Sequence, residues 1–277
     1  MRLSIIAASL FSAFAALPAL AADEPASAHT FTGNMSIVSD YRFRGISQTY
    51  KLPALQGGLD YSHASGVYVG TWLSNVSGNQ YYNGASLEID GYGGYKLPVG
   101  DFTFDVGGLY YYYPGAHYAV EAKTKYNNLE AYVGVSYKVV SFKYSHTLTN
   151  FFGVNKDTYG GVCQSTVVGG DGGDCFDADP GKSTGSGYFD LSANIPLTEK
   201  ITLNTHVGHQ KVKNYGKLDY TDWKLGATYD LNGWGLGAAI VGTNAKKGWY
   251  YACKISDGGS CKKTGENTLV LSVAKSF

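Results

Sequence analysis

The chain has 277 residues and balances 22 Lys and Arg against 22 Asp and Glu, a formal net charge of +0. That balance, with no basic block and no acidic tail, excludes a nucleic-acid scaffold and a disordered acidic segment. The 37 Gly argue against a mostly helical chain, because Gly costs helix stability at every interior position.

Residues 1–21 predict a secretory signal peptide. Arg2 starts it, Ile5 to Leu17 is apolar apart from Ser9 and Ser12, and Ala19-Leu20-Ala21 supplies the A-x-A site. The apolar run is shorter than the ~20 residues of a membrane anchor. No later stretch approaches ~18 apolar residues, so no spanning helix is expected. Residues 22–277 are read as one domain.

The stretch 31–44 then alternates: Phe31, Met35, Ile37, Tyr41 and Phe43 on one side, Thr32, Asn34, Ser36, Asp40, Arg42 and Arg44 on the other. Only Val38 breaks the pattern. A period of two is a strand with one oily and one wet face. Fourteen residues is long for a soluble sheet and fits a transmembrane β-strand with an overhang. Eleven more strands are predicted over 54–63, 67–75, 85–96, 102–113, 126–138, 140–151, 187–196, 201–211, 220–230, 234–243 and 267–277. The expected fold is all-β: an antiparallel up-and-down transmembrane β-barrel of about twelve strands.

The connections support this. Those at 45–53, 76–84, 114–125, 152–186, 212–219 and 244–266 are long. Those near 64–66, 97–101, 138–139, 197–200 and 231–233 are short. Long extracellular loops alternating with short periplasmic turns are the outer-membrane pattern. Pro53, Pro98, Pro114, Pro180 and Pro196 fall in connections or at strand ends, where no ladder bond is lost.

Energy sets which face meets lipid. A Lys or Arg on the lipid face at mid-membrane costs roughly 2–4 kcal/mol. Turned outward, Asp60, Asp90, Asp105, Glu130, Lys143, Asp190 and Lys224 would exceed a net stability of about 5–15 kcal/mol. They are therefore assigned inward. The outward aromatics then form two belts. Tyr61, Tyr95, Phe102, Tyr137, Phe142, Tyr229, Trp234 and Phe277 lie by the short turns, and Tyr41, Phe43, Tyr110, Tyr112 and Trp223 by the long loops.

Four segments carry a family likeness: Ser39-Asp-Tyr-Arg-Phe-Arg-Gly-Ile-Ser-Gln48, Pro53-Ala-Leu-Gln-Gly-Gly-Leu-Asp-Tyr61, Tyr68-Val-Gly-Thr-Trp72 and Tyr110-Tyr-Tyr-Tyr-Pro-Gly115. They resemble the TorF-type porin family, also known as the Gcw_chp conserved hypothetical proteins. The likeness is specific over about 36–138 and looser beyond. It implies an outer-membrane barrel and a pore, and supplies no catalytic residues and no substrate. Leu269, Leu271, Val273 and the terminal Phe277 share one face. This looks like the signal by which the barrel-assembly machinery recognises its clients. Lys275 departs from the apolar residue usual there, at a level where Lys can snorkel.

The candidate lumen lining is Asp40, Arg42, Arg44, Asp60, Glu88, Asp90, Asp105, Glu130, Lys143, Asp190, Asp222 and Lys224. Two readings compete for the charges near the long loops: a constriction that selects solute charge, or paired ions filling a narrow lumen. The set leans acidic, which predicts a weak cation preference. Cys163, Cys175, Cys253 and Cys261 follow a signal peptide and are read as disulfides, Cys163 with Cys175 and Cys253 with Cys261, with bridging between the loops left open. A zinc site is disfavoured because the C-x₂₋₄-C spacing is absent. Gly169-Gly-Asp-Gly-Gly-Asp174 matches one calcium-binding nonapeptide unit, but that fold needs stacked repeats, and a flexible hydrated loop is the expectation. His206 is placed in the lumen, His117 in a loop, and His146 and His209 outward near the outer rim. No Ser–His–carboxylate set is legible, and no enzyme is expected. The functional expectation is passive diffusion of small hydrophilic solutes across an outer membrane. It needs no cofactor, metal or nucleic acid, and its partners are membrane lipid, assembly machinery and solute. A closed barrel with a structural or surface-binding role is the rival.

Overall fold

A computed structural model of the chain describes residues 27–81, 85–254 and 260–277. The predicted signal peptide lies outside the described residues. Twelve strands form one closed barrel: β1 (His29–Val38), β2 (Ala54–His63), β3 (Val67–Asn75), β4 (Leu87–Val99), β5 (Phe102–Tyr112), β6 (Asn128–Tyr137), β7 (Val140–Thr147), β8 (Gly187–Pro196), β9 (Ile201–Lys211), β10 (Tyr220–Leu231), β11 (Trp234–Thr243) and β12 (Thr268–Ser276). Each pairs antiparallel with its sequence neighbours, and β1 closes the ring on β12 with Val38 opposite Ser272. Long and short connections alternate as expected. Closure leaves no open edge, so every strand finds partners on both sides.

The alternation sets the two faces. Leu59, Val69, Phe104, Val133, Leu191, Leu225 and Leu271 all point out and are about half exposed. A continuous apolar outer wall has no counterpart in a water-soluble barrel and suits hydrocarbon. Tyr110, Tyr112 and Trp223 flank it at the long-loop end, and Tyr95, Phe102, Tyr137, Tyr229 and Trp234 at the short-turn end.

The abundance of Gly and aromatic residues has one cause in the wall. Several rings lie flat across a glycine on the next strand. Tyr92 covers Gly70, Tyr68 covers Gly94, Tyr132 covers Gly107, and on the outside Trp223 covers Gly242. A Cβ at Gly70 would stand 2.5 Å from the Tyr92 ring. The seam uses the same device. Gly33 and Phe277 exchange backbone hydrogen bonds at 2.7 and 2.9 Å, and the Phe277 ring fills the space where a Gly33 side chain would be.

Three boundaries differ from expectation by three residues or more. The first strand ends at Val38, not Arg44. β4 runs on through Leu97–Val99, which the turn signal at Pro98 had excluded. Strand β3 pairs with β4 only as far as Tyr95, so Pro98 lies past the end of that ladder, where its missing N–H costs no bond. β7 stops at Thr147, because Phe151–Gly153 turns inward as a 3₁₀ segment and carries the Phe152 ring onto Phe43 and Tyr111.

At the long-loop end three connections pack into a cap. Val154 and Phe176, Val212, Tyr215 and Leu218, and Trp249 form one apolar cluster from loops 148–186, 212–219 and 244–267. Cys163 bonds Cys175 and Cys253 bonds Cys261, each within its own loop. Each closure contributes about 3 kcal/mol in the chain-entropy account. The Gly/Asp-rich stretch is thus docked and not a free hydrated loop. Asp174 pairs with Lys217 and reaches Lys246 at 3.6 Å. Among the described residues no three His, Cys, Asp or Glu side chains gather as a metal site.

Lys217 holds the Asp174 carboxyl below its usual range, as Lys51 does for Glu266. A depressed carboxyl stabilises above its unfolded value of about 4 and loses that contribution as pH falls through its lower folded value. The cap is therefore expected to loosen below about pH 4. Acrylamide quenching of Trp249, buried in the cap, should rise as pH falls from 6 to 3, and Asp174→Asn should show part of that rise already at pH 6. Quenching independent of pH would refute the linkage.

Candidate functional site: the lumen and its inserted loop

The first long loop, residues 39–53, does not stand outside the barrel. It folds back into the lumen. Asp40 organises its base, accepting from Ser47 Oγ at 2.6 Å and from Arg42 Nε at 2.6 Å. Arg42–Phe43 and Ile46–Ser47 form a two-rung ribbon. Its tip needs a left-handed turn at Arg44 and Gly45, with φ of 46° and 78°. Only glycine fits the second place, because a Cβ there would lie 2.4 Å from Thr243 Cγ2 at the end of β11.

Two arginines fix this loop. Arg42 donates to the carbonyls of Thr264 and Glu266 at 2.9 and 3.0 Å and to Thr268 Oγ1 at 2.7 Å, tying it to the last long loop and β12. Arg44 crosses the lumen. Its guanidinium meets Glu130 Oε2 at 2.7 Å and Gln210 Oε1 at 2.8 Å, and stacks 4.2 Å above the Tyr188 ring.

Asp40, Arg42 and Arg44 therefore lie on an inserted loop, not on the first strand as the alternation predicts. Tyr41 and Phe43, assigned to an outward belt, are inside. Tyr41 is buried edge-on to Trp72, and Phe43 packs on Tyr111 and Phe152. The period of two continued past Val38 because a ribbon alternates just as a wall strand does.

The remaining nine lining candidates sort into two levels. Towards the long loops, Glu88, Asp90, Glu130 and Asp222 face inward and are each 1% exposed or less. Glu88, Asp90 and Glu130 lie with the cluster of Tyr41, Trp72, Tyr81, Leu109, Tyr111 and Tyr113, and Asp222 lies against Tyr188 and His206, so this level is packed. Tyr41 Oη donates to Glu88 Oε1 at 3.0 Å. Both Asp90 oxygens and Glu88 Oε2 meet no donor among the described residues. Enclosing unpaired carboxylates is costly, and that cost opposes the seating of the loop above them.

Towards the short turns, Asp60, Asp105, Lys143, Asp190 and Lys224 face inward and are half-buried, open to water on one side. Acids and bases alternate around β2 to β10. Tyr92 donates to Asp60 and Tyr68 to Asp105, both at 2.7 Å, while Lys96 and Lys143 sit over the Tyr68 and Tyr132 rings. The inward positions of β11 and β12 at this level are small: Gly237, Ala239, Ser272 and Ala274. A charged arc thus faces a smooth one.

The structure also joins residues that the sequence left apart. Ser192 Oγ lies 3.1 Å from His206 Nδ1, and His206 Nε2 lies 2.8 Å from Asp222 Oδ1. The set has the composition of a hydrolytic triad but not its geometry. Ser192 donates to Asp190 Oδ1 at 2.7 Å, and the strand N–H groups beside it are taken up by the ladder. Those N–H groups are therefore not available as oxyanion donors. Tyr68, Lys96, Tyr132 and His206 belong to the lining too. Their inward parity was readable, but their convergence depends on strand register.

No curated protein matches the chain. Among solved structures, the COG4313 outer membrane channel from Pseudomonas putida F1 is 10% identical, aligned over 92% of this chain and 100% of its own, with a TM-score of 0.41. OccAB4 of Acinetobacter baumannii is 11% identical over 86% of this chain and 56% of its own, with a TM-score of 0.37. A Rhodopseudomonas blastica porin is 9% identical over 90% and 100%, with a TM-score of 0.33. At these distances nothing about substrate passes to this chain. The family profile is decisive: it matches residues 22–277, and the chain belongs to the Gcw_chp family, bacterial proteins described as of unknown function.

Proposed function

We propose that the barrel sits in an outer membrane and lets small hydrophilic solutes pass by diffusion, with the 39–53 loop as its constriction. The observation that carries this is the contrast between levels. The lower lumen keeps seven charged or imidazole side chains, Asp60, Lys96, Asp105, Lys143, Asp190, His206 and Lys224, within reach of water. A wall built only to hold a shape has no need of them. Filtering is steric at the loop and electrostatic below it, with no energy input. Secretion through cleavage after Ala21 and insertion guided by the strand ending at Phe277 complete the route. An intact mass that does not begin at Ala22 would overturn the cleavage.

The packed upper level favours a second reading, a closed barrel that displays the disulfide-pinned cap. Planar-bilayer recordings separate the two. The channel reading expects discrete conductance steps and, because the acidic excess of the lining sits at the upper level, where Glu88, Asp90, Glu130 and Asp222 face Arg44, reversal potentials that favour cations. No steps, from the native chain or from one lacking residues 42–47, would establish the closed barrel. Clear anion selectivity would refute the charge assignment alone.

A further inference from the structure

A groove of about 570 Å³ opens on the outside of the barrel at the long-loop end, over β7, β8 and β9 and under the loop 212–219. Its floor is apolar: Tyr144 and Phe189, with rings 4.8 Å apart, lie beside Gly187. Its upper rim is basic. Lys211 ends β9 on the outward face, and Lys213 follows in the loop. Both are exposed, and neither ammonium takes an ion pair among the described residues. Lys213 and His146 converge over Gly185, whose Cβ would lie 3.4 Å from Lys213 Cδ and 3.8 Å from His146 Cε1. Asp219, the groove's own carboxylate, accepts from the Val212 N–H at 2.6 Å and feels the charge of Lys211 without a direct ion pair.

This places unpaired cations directly above an oily floor, at the height where the aromatic belt gives way to the loops. An amphiphile with a phosphate on top and acyl chains below has that profile. We propose that the groove binds a phosphorylated lipid of the outer leaflet, its phosphate between Lys211 and Lys213 and a chain along Tyr144 and Phe189. The proposal rests on the barrel lying in an outer membrane with its long loops outside. It does not depend on whether the lumen conducts.

The test is native mass spectrometry of the mature chain refolded in detergent and titrated with diphosphoryl lipid A, with phosphatidylcholine as the neutral control. One lipid A per barrel should bind in preference to the control. Lys211→Gln with Lys213→Gln should weaken that binding about thirtyfold, at about 1 kcal/mol for each lysine near a phosphate surface. Lys138→Gln, on a short turn at the other end, should leave it unchanged. Both lysines are exposed, so the double variant is expected to fold, and its heat-shifted migration on a gel confirms that. Equal binding of lipid A and phosphatidylcholine, or equal lipid A binding by the native and double-variant barrels, would overturn the proposal. So would saturation by inorganic phosphate with no uptake of lipid A.

Discussion

Arg44→Ala is expected to destabilise the barrel by roughly 3–5 kcal/mol, the cost of breaking a buried ion pair, and to raise single-channel conductance several-fold. The pair is enclosed: side-chain exposure is 7% for Arg44 and 1% for Glu130. Removing the guanidinium leaves Glu130 with Asn128 Nδ2 at 3.2 Å and the Tyr111 hydroxyl at 3.4 Å, both neutral. It also frees Gln210 and the Tyr188 face, so the loop tip loses its hold on β6, β8 and β9 together. Adding Glu130→Gln removes the orphaned charge and should recover most of the lost stability, but not the narrow conductance. That split separates the electrostatic cost from the steric role. Denaturant unfolding of the two variants measures the first, and bilayer recordings the second. A cost below about 1 kcal/mol, the range of a solvated pair, would mean that the loop is not seated in the lumen.

Leu225→Lys is expected to cost about 2–4 kcal/mol, the charge of a lysine at mid-membrane on the lipid face. Leu225 lies midway along β10, points out and is 53% exposed. A solvent-exposed lysine on a water-soluble barrel would cost almost nothing. The preceding Lys224 points into the lumen and is native, so one position along the same strand inverts the outcome. A lysine at Thr228, which faces the wet lower lumen, should be tolerated. Equal tolerance of lysine at 225 and 228 would contradict the orientation of the wall.

The wall was legible because lipid enforces a strict rule. One face of every strand has to be oily, so the period of two survives over ten residues and fixes parity even where boundaries slip. The inward side of the nine charged residues on wall strands followed from the same parity. What the sequence could not show was where a strand leaves the wall. Asp40 to Arg44 alternate like the residues before them, and only Gly45, with no room for a Cβ, marks the inward turn. The difference between packed and wet lining was also hidden. Glu88 and Asp60 have the same parity, yet one is enclosed by a loop forty residues earlier in the chain. Contacts such as Ser192 with His206 depend on register, which pairs them across β8 and β9. The cap was misread because Gly and Asp suggest hydration, while the clustering of Phe176, Tyr215 and Trp249 requires three loops at once.

Fluorescence in brominated lipid tests the central claim most directly, because the four tryptophans divide between the two sides of the wall. Trp223 and Trp234 point outward, whereas Trp72 and Trp249 are 4% and 8% exposed inside the barrel and the cap. Barrels retaining only Trp223 or Trp234 should lose most of their emission when bilayers carry bromine on their acyl chains. A barrel retaining only Trp72 should keep its own. Uniform quenching of all four, or none at 223 and 234, would show that hydrocarbon does not bathe the outer face.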